Sequence, residues 1–132
     1  MIKETIDIDL INSFLIKFDA SIDHVGVYSK YIAYYINDQA VGFLSYDLIY
    51  DRAEIEYIFV DEKNRRRNIA SLLMDYLFED CGKHNCINVT LEVKETNKIA
   101  IKFYESKEFR EVSKREKYYN DEDGILMIRE ML

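Results

Sequence analysis

Val60-Asp61-Glu62-Lys63-Asn64-Arg65-Arg66-Arg67-Asn68-Ile69-Ala70-Ser71-Leu72-Leu73 is the stretch around which the rest of the chain is organised. A strand-like run, Glu54 to Val60, precedes it. After it the period changes: Ile69, Leu72, Leu73, Tyr76 and Leu77 fall at helical spacing and define one apolar face. A strand therefore runs into a basic turn that opens directly into a helix. The first turn of a helix carries unpaired N–H groups and the positive end of the helix dipole, so this junction suits an anion. Lys63, Arg65, Arg66 and Arg67 add four cationic side chains to a protein whose net charge is -7. The ligand that fits is a pyrophosphate or polyphosphate; the competing reading is a solvated charge run before an ordinary helix.

With 132 residues the chain has room for one domain with a real core and is too short for two. Hydrophobic residues make up 48% and charged residues 33%, a globular balance, and no apolar run is long enough to cross a membrane. Met1 to Asp7 lacks the basic start and apolar core of a signal peptide, which leads to the expectation of a cytoplasmic protein. The acidic balance weighs against nucleic acid as a partner and is compatible with a cationic substrate such as an amine or a basic peptide. Cys81 and Cys86 with His84 between them make an incomplete metal set, so reduced, partly buried thiols are expected and no metal.

Leu10, Ile11, Phe14, Leu15 and Phe18 repeat at helical spacing, with Asp7 or Asp9 as cap. Tyr31–Ile36 and Ala40–Tyr46 flank Asn37-Asp38-Gln39 as a hairpin, and Ala53–Val60 completes an antiparallel meander. The central helix is expected to end near Asp80-Cys81-Gly82, capped by Gly82. In Asn88–Lys94, Val89, Leu91 and Val93 alternate with Thr90, Glu92 and Lys94. Thr96 or Asn97 caps a short helix through Ser106 that turns Ala100, Phe103 and Tyr104 inward. Phe109–Ser113 and Gly124–Glu130 are the last strands, joined by the polar segment Lys114 to Asp123. The pattern predicts a mixed α/β domain with a single βαβ crossover at the basic turn.

Arg65-Arg66-Arg67-Asn68-Ile69-Ala70 resembles the Arg/Gln-x-x-Gly-x-Gly/Ala turn of the GNAT superfamily of acetyltransferases. Asn68 replaces that family's first glycine. Asn is the non-glycine residue that best tolerates a left-handed backbone, so the turn is expected to survive the exchange. Leu91-Glu92-Val93, Asn97, Ala100, Tyr104-Glu105 and Phe109 are similar to the family's last motif, with Glu108 in place of its glycine. Within the family the chain is closest to the RimI type, which acetylates the N-terminal amine of a small-subunit ribosomal protein. The segment Arg115-Glu116-Lys117-Tyr118-Tyr119 is also similar to protein N-terminal acetyltransferases.

The resemblance covers roughly Ala40 to the C-terminus, and the first 30 residues are shorter than the family's usual opening. It implies one domain over residues 1–132, with a mostly antiparallel twisted sheet splayed between its fourth and fifth strands. It also implies direct transfer from acetyl-CoA to an amine without a metal. Backbone amides of Arg65, Arg66, Arg67, Asn68, Ile69, Ala70 and Ser71 would hold the pyrophosphate. Ile58, Phe59 and Val60 would meet the thioester and pantetheine, and Asn97 would be a coenzyme contact, a helix cap or both. Glu92 is the first candidate base, with Glu54 second and Glu56 sharing its face as base or substrate contact. Tyr104, near the coenzyme sulphur, is the candidate acid. Tyr118 and Tyr119 would lie over the acceptor. That acceptor is a protein N-terminus by similarity; a small-molecule amine, a lysine side chain, or a non-catalytic acyl-CoA-binding or interaction domain stand as alternatives. Family domains occur as monomers and as homodimers.

Overall fold

The computed structural model describes residues 1–119 and 122–131, the side chains of 117–119 excepted. Strands β1 (Ile2–Glu4), β2 (Ser29–Ile36), β3 (Gln39–Ile49), β4 (Arg52–Val60), β5 (Asn88–Lys94), β6 (Arg110–Tyr119) and β7 (Glu122–Glu130) form one sheet of order β1-β2-β3-β4-β5-β7-β6. Helices α1 (Ile8–Leu15), α2 (Ile69–Lys83) and α3 (Lys98–Ser106) lie on its faces. All strand pairs are antiparallel except β4–β5, which α2 connects as a βαβ crossover.

Asn37 and Asp38 turn the β2–β3 hairpin with φ of 51° and 63°, the left-handed pair a tight hairpin demands. Asp7 caps α1 by accepting from the Leu10 amide at 3.2 Å. Asn97 caps α3 by accepting from Ala100 at 3.2 Å, whereas the Thr96 hydroxyl donates to Glu122 at 2.6 Å.

Two apolar clusters occupy opposite faces of the sheet. The larger joins Leu44, Ile55, Val89, Leu91 and Met127 to Ile69, Leu73, Met74, Leu77 and Cys81 of α2, and to Tyr104 and Phe109. The smaller packs Ile11, Phe14 and Leu15 of α1 onto Tyr31 and Phe43.

Several elements depart from expectation. The strand β1 is too short to announce itself by alternation. The inward stripe of α2 includes Met74 and Cys81, while Leu72 turns outward. The helix runs through Gly82 to Lys83, and Gly82 keeps negative φ; the left-handed residue is Asn85 (φ 55°), beyond which the Cys86 amide donates to the Cys81 carbonyl at 3.0 Å. Asn tolerates that conformation locally, as glycine would. Strand β6 continues through 114–119, which was expected as a connecting segment. On this edge strand the residues from Glu111 to Glu116 are exposed, so polarity hides the pairing.

Candidate active site

The parallel pair β4–β5 is short. Its register runs Arg52↔Asn88, Ala53↔Val89, Glu54↔Thr90 and stops, although β4 continues to Val60 and β5 to Lys94. From Ile55 onward β4 is laddered only to β3, and from Leu91 onward β5 is laddered only to β7. A wedge thus opens between two strands whose facing edges are no longer laddered to each other. The half-buried Ile58, Phe59 and Val60 line its β4 side. Beyond the wedge the chain enters the basic turn.

That turn contains two left-handed residues, Arg66 (φ 67°) and Asn68 (φ 64°, ψ 17°). Alternating left-handed backbone points successive N–H groups into a concavity that receives anions. The Asn68 side chain makes no capping hydrogen bond, and the first intrahelical bond of α2 is Leu72 N–H to the Asn68 carbonyl at 3.0 Å. The opening amides of α2 are therefore uncapped at the positive end of its dipole. Arg65, Arg66 and Arg67 are exposed around them; Arg65 Nε donates to the Val60 carbonyl at 3.3 Å, tying the turn to the end of β4. Ala70 and Ser71 lie in the first turn, and Lys107, just past α3, donates to the Ser71 hydroxyl.

The close approach of α2 to the sheet depends on Gly42 of β3. A Cβ there would stand 2.8 Å from Ile69 Cγ2 and 3.3 Å from Leu73 Cδ1. Uncapped amides, exposed guanidinium groups and the half-buried Ile58, Phe59 and Val60 are groups that could hold the phosphates and apolar arm of a coenzyme A thioester.

Glu92 lies on β5 just past the last β4–β5 pair, on the face opposite Leu91 and Val93. Its side chain is 15% exposed, and Arg115 Nε approaches Oε1 at 3.1 Å. The other oxygen, Oε2, is buried without a hydrogen-bond partner among the described residues. An unsatisfied buried polar atom costs about 1–3 kcal/mol, and more when charged, so such an atom calls for a water or a ligand group.

Glu54 and Glu56 are exposed residues of β4. The β3–β4 register shifts opposite them, with Tyr46 facing Ile55 and Ser45 facing Tyr57, so Glu56 sits in a bulge. Glu56 lines an open pocket of about 230 Å³ together with Ile22, Asp23, His24, Ser29 and Tyr31. Partial burial, then the charges of Asp47 and Glu54, push the Glu56 carboxyl above the usual carboxylate range.

Tyr104 is 8% exposed on α3 and packs edge-on against Phe103 and Phe109, at centroid separations of 5.6 and 5.9 Å. It belongs to the larger core cluster, on the face opposite Glu92. Asn97 fills its capping role at the start of the same helix. The side chains of Tyr118 and Tyr119 lie outside the described residues. Glu108 has the left-handed backbone (φ 70°) that a glycine would adopt freely, and its carboxylate meets Arg129 at 2.9 Å.

Sequence reasoning missed the Arg115–Glu92 pair, which needs the register of three strands to be seen. It also missed a polar cluster behind α2. There Asp80 accepts from Tyr46 at 2.6 Å and from Lys30 at 2.9 Å, with His84 Nδ1 at 3.2 Å from its other oxygen. Burial alone would raise the Asp80 carboxyl; the hydrogen bonds from Tyr46 and Lys30 outweigh it and hold the group below the usual carboxylate range. Cys81 and Cys86 are buried free thiols. Burial, then the neighbouring Cys86, pushes the Cys81 thiol up to about 12.

Comparison with known proteins places the chain in a family. Residues 9–109 match the acetyltransferase (GNAT) family. A ribosomal protein bS18-alanine N-acetyltransferase of Salmonella typhimurium is 30% identical over 95 residues, 69% of this chain and 64% of that protein, so the match spans less than two thirds of the relative. The crystal structure of the ribosomal-protein-S18-alanine N-acetyltransferase from Escherichia coli superposes with a TM-score of 0.84 at 24% identity, covering 99% of this chain and 94% of that one. Ard1 from Thermoplasma volcanium superposes with a TM-score of 0.74 at 32% identity, over 77% and 70% of the two chains.

Proposed function

The chain belongs to the acetyltransferase (GNAT) family, and from that premise we propose that it transfers acetyl from acetyl-CoA directly to a primary amine, a protein N-terminal α-amine. The observation that carries the reading is the wedge between β4 and β5 leading into the left-handed turn at Asn68. The choice of acceptor is supported by the relative that acts on the alanine terminus of bS18.

Acetyl-CoA supplies an activated acyl group; the chain's residues bind, orient and move protons. The amides from Arg66 to Ser71 and the surrounding guanidinium groups hold the phosphates. The free edge of β4 from Ile58 to Val60 offers N–H groups to the pantetheine and the acyl carbonyl. An α-amine is largely protonated at neutral pH and must lose a proton before it attacks. Glu92 is the base: its buried Oε2, without a partner among the described residues, accepts that proton through a water. Tyr104 donates to the departing thiolate, its ring fixed between Phe103 and Phe109. Glu56 contacts the acceptor's positive charge, and Glu54 on the same strand is the second candidate base.

A second acceptor class, a small-molecule amine or a lysine side chain, is favoured by one observation. The cavity beside Glu56, with Asp23 at its wall, presents carboxyl groups to a compact cation.

Calorimetric titration with acetyl-CoA tests the coenzyme site. Saturable binding by the wild type that weakens in Arg65→Ala/Arg67→Ala is expected; equal binding by both proteins refutes the anion turn. Glu92→Gln and Tyr104→Phe are each expected to lower turnover by about 100-fold; unchanged rates in both refute the proton assignments.

A further inference from the structure

We propose that Arg115 is a positioning residue for the acetyl transfer, anchoring one oxygen of Glu92 so that the other is held toward the incoming amine. The inference rests on the reading of Glu92 as base. It starts from strand register. Glu92 pairs with Leu126 of β7, Lys94 pairs with Gly124, and Gly124 pairs in turn with Arg115 of β6. Paired residues share a face, so Lys94, Gly124 and Arg115 form one row and Glu92 with Leu126 the adjacent row on the same face.

Strands two apart in a sheet are separated by about 10 Å. Arg115 must therefore cross β7 to reach Glu92. Gly124 has no side chain to stand in that path. The crossing ends with Nε at 3.1 Å from Oε1.

Among the described residues no β4 side chain is paired with Glu92. The β4–β5 ladder ends at Glu54↔Thr90, so Glu92 stands beyond the last β4 residue paired to its strand. Lys94, its neighbour on the same face of β5, pairs with Glu122 at 3.7 Å. A glutamate without an anchor samples several rotamers of its three side-chain torsions. With Oε1 held, the lone pairs of Oε2 keep a fixed direction, which is what proton transfer at a set distance requires. Arg115 stands on the same strand as Tyr118 and Tyr119.

The test is steady-state kinetics at saturating acetyl-CoA, using a hexapeptide with a free N-terminal alanine and, separately, spermidine. Arg115→Ala is expected to lower kcat by about 10-fold to 100-fold, with KM for acetyl-CoA and the thermal midpoint little changed. A lysine at this position keeps the positive charge and has the length to reach the same oxygen, so Arg115→Lys is expected to recover most of the rate. In a Glu92→Gln background, Arg115→Ala is expected to have no further effect.

A loss of kcat in Glu92→Gln with wild-type kcat in Arg115→Ala overturns the role of Arg115 and leaves the base assignment standing. Equal losses from Arg115→Ala in both backgrounds also overturn it, because Arg115 then acts elsewhere. Wild-type kcat in Glu92→Gln overturns the base and the anchor together, as does a wild-type protein that releases no coenzyme thiol with either acceptor.

Discussion

Replacing Asn68 by Val isolates the backbone of the anion turn. The residue is exposed, makes no capping hydrogen bond, and sits at φ 64°, ψ 17°. Its exchange therefore removes no side-chain cap and changes mainly the cost of the left-handed conformation. That cost is about 1–2 kcal/mol for an ordinary L-residue and smaller for Asn. If the turn keeps its shape, the cost appears as lost stability. Unfolding entropy is about 2.1 cal/mol/K per residue, so for 132 residues the thermal midpoint falls by about 4–7 °C. If the turn relaxes in the free protein, acetyl-CoA must restore it on binding, and Kd rises by about 5-fold to 30-fold. Asn68→Gly is the control: glycine accepts the conformation, and both midpoint and affinity should stay close to wild type. Differential scanning calorimetry and titration with acetyl-CoA read the two routes together. Wild-type midpoint and wild-type affinity in Asn68→Val refute the reasoning, and a matching loss of affinity in Asn68→Gly shows that the Asn side chain itself holds the ligand.

Gly42→Ala pushes a methyl to 2.8 Å from the stiff Ile69 side chain at the head of α2; a destabilisation of about 1–3 kcal/mol is expected by chemical denaturation. Tyr46→Phe removes a donor to Asp80 from a fully buried site and should cost about 1–3 kcal/mol in the same assay. Because the Asp80 carboxyl is depressed in the folded state, its contribution is present above the unfolded value of about 3.9 and is lost as pH falls below it; the advantage of wild type over Asp80→Asn should fade in thermal melts across that acid range. Glu56 is shifted the other way, so its ionised form disfavours folding: Glu56→Gln should melt higher than wild type at pH 7, and the gap should close as pH falls toward 4. With its thiol pushed up to about 12 and fully buried, Cys81 should react with a maleimide more than about 100-fold slower in the folded protein than in guanidinium.

The parts legible in the sequence were those with local causes. The Asn37-Asp38 hairpin, the Asp7 and Asn97 caps, the alternation of Asn88–Lys94 and the strand-to-helix junction at Asn68 each follow from residues close in the chain. The parts that were not legible depend on distant partners. Three residues of β1 are a strand only because Ile2, Lys3 and Glu4 find Tyr34, Ala33 and Ile32 of β2. The inward face of α2 rotated off Leu72 toward Met74 because the sheet, not helical periodicity alone, chooses which stripe is buried. Glu92 could be named from its motif, but its orientation by Arg115 required knowing that β7 lies between β5 and β6.

The smaller apolar cluster beneath α1 has a consequence for how the molecule opens. It is separated by the sheet from the larger cluster that secures α2, and it draws on α1, the loop after it and the outer face of β2–β4. Such a layer can detach in a sub-global fluctuation whose free energy is well below that of complete unfolding. Native-state amide exchange would then divide the chain in two, with Ile11 to Leu15 exchanging by partial opening and Leu73 to Leu77 only with global unfolding. The same separation makes the layer beside Glu56 modular: loop and helix replacements between residues 7 and 28 could alter which amine is admitted while the fold's main energetic support stays untouched.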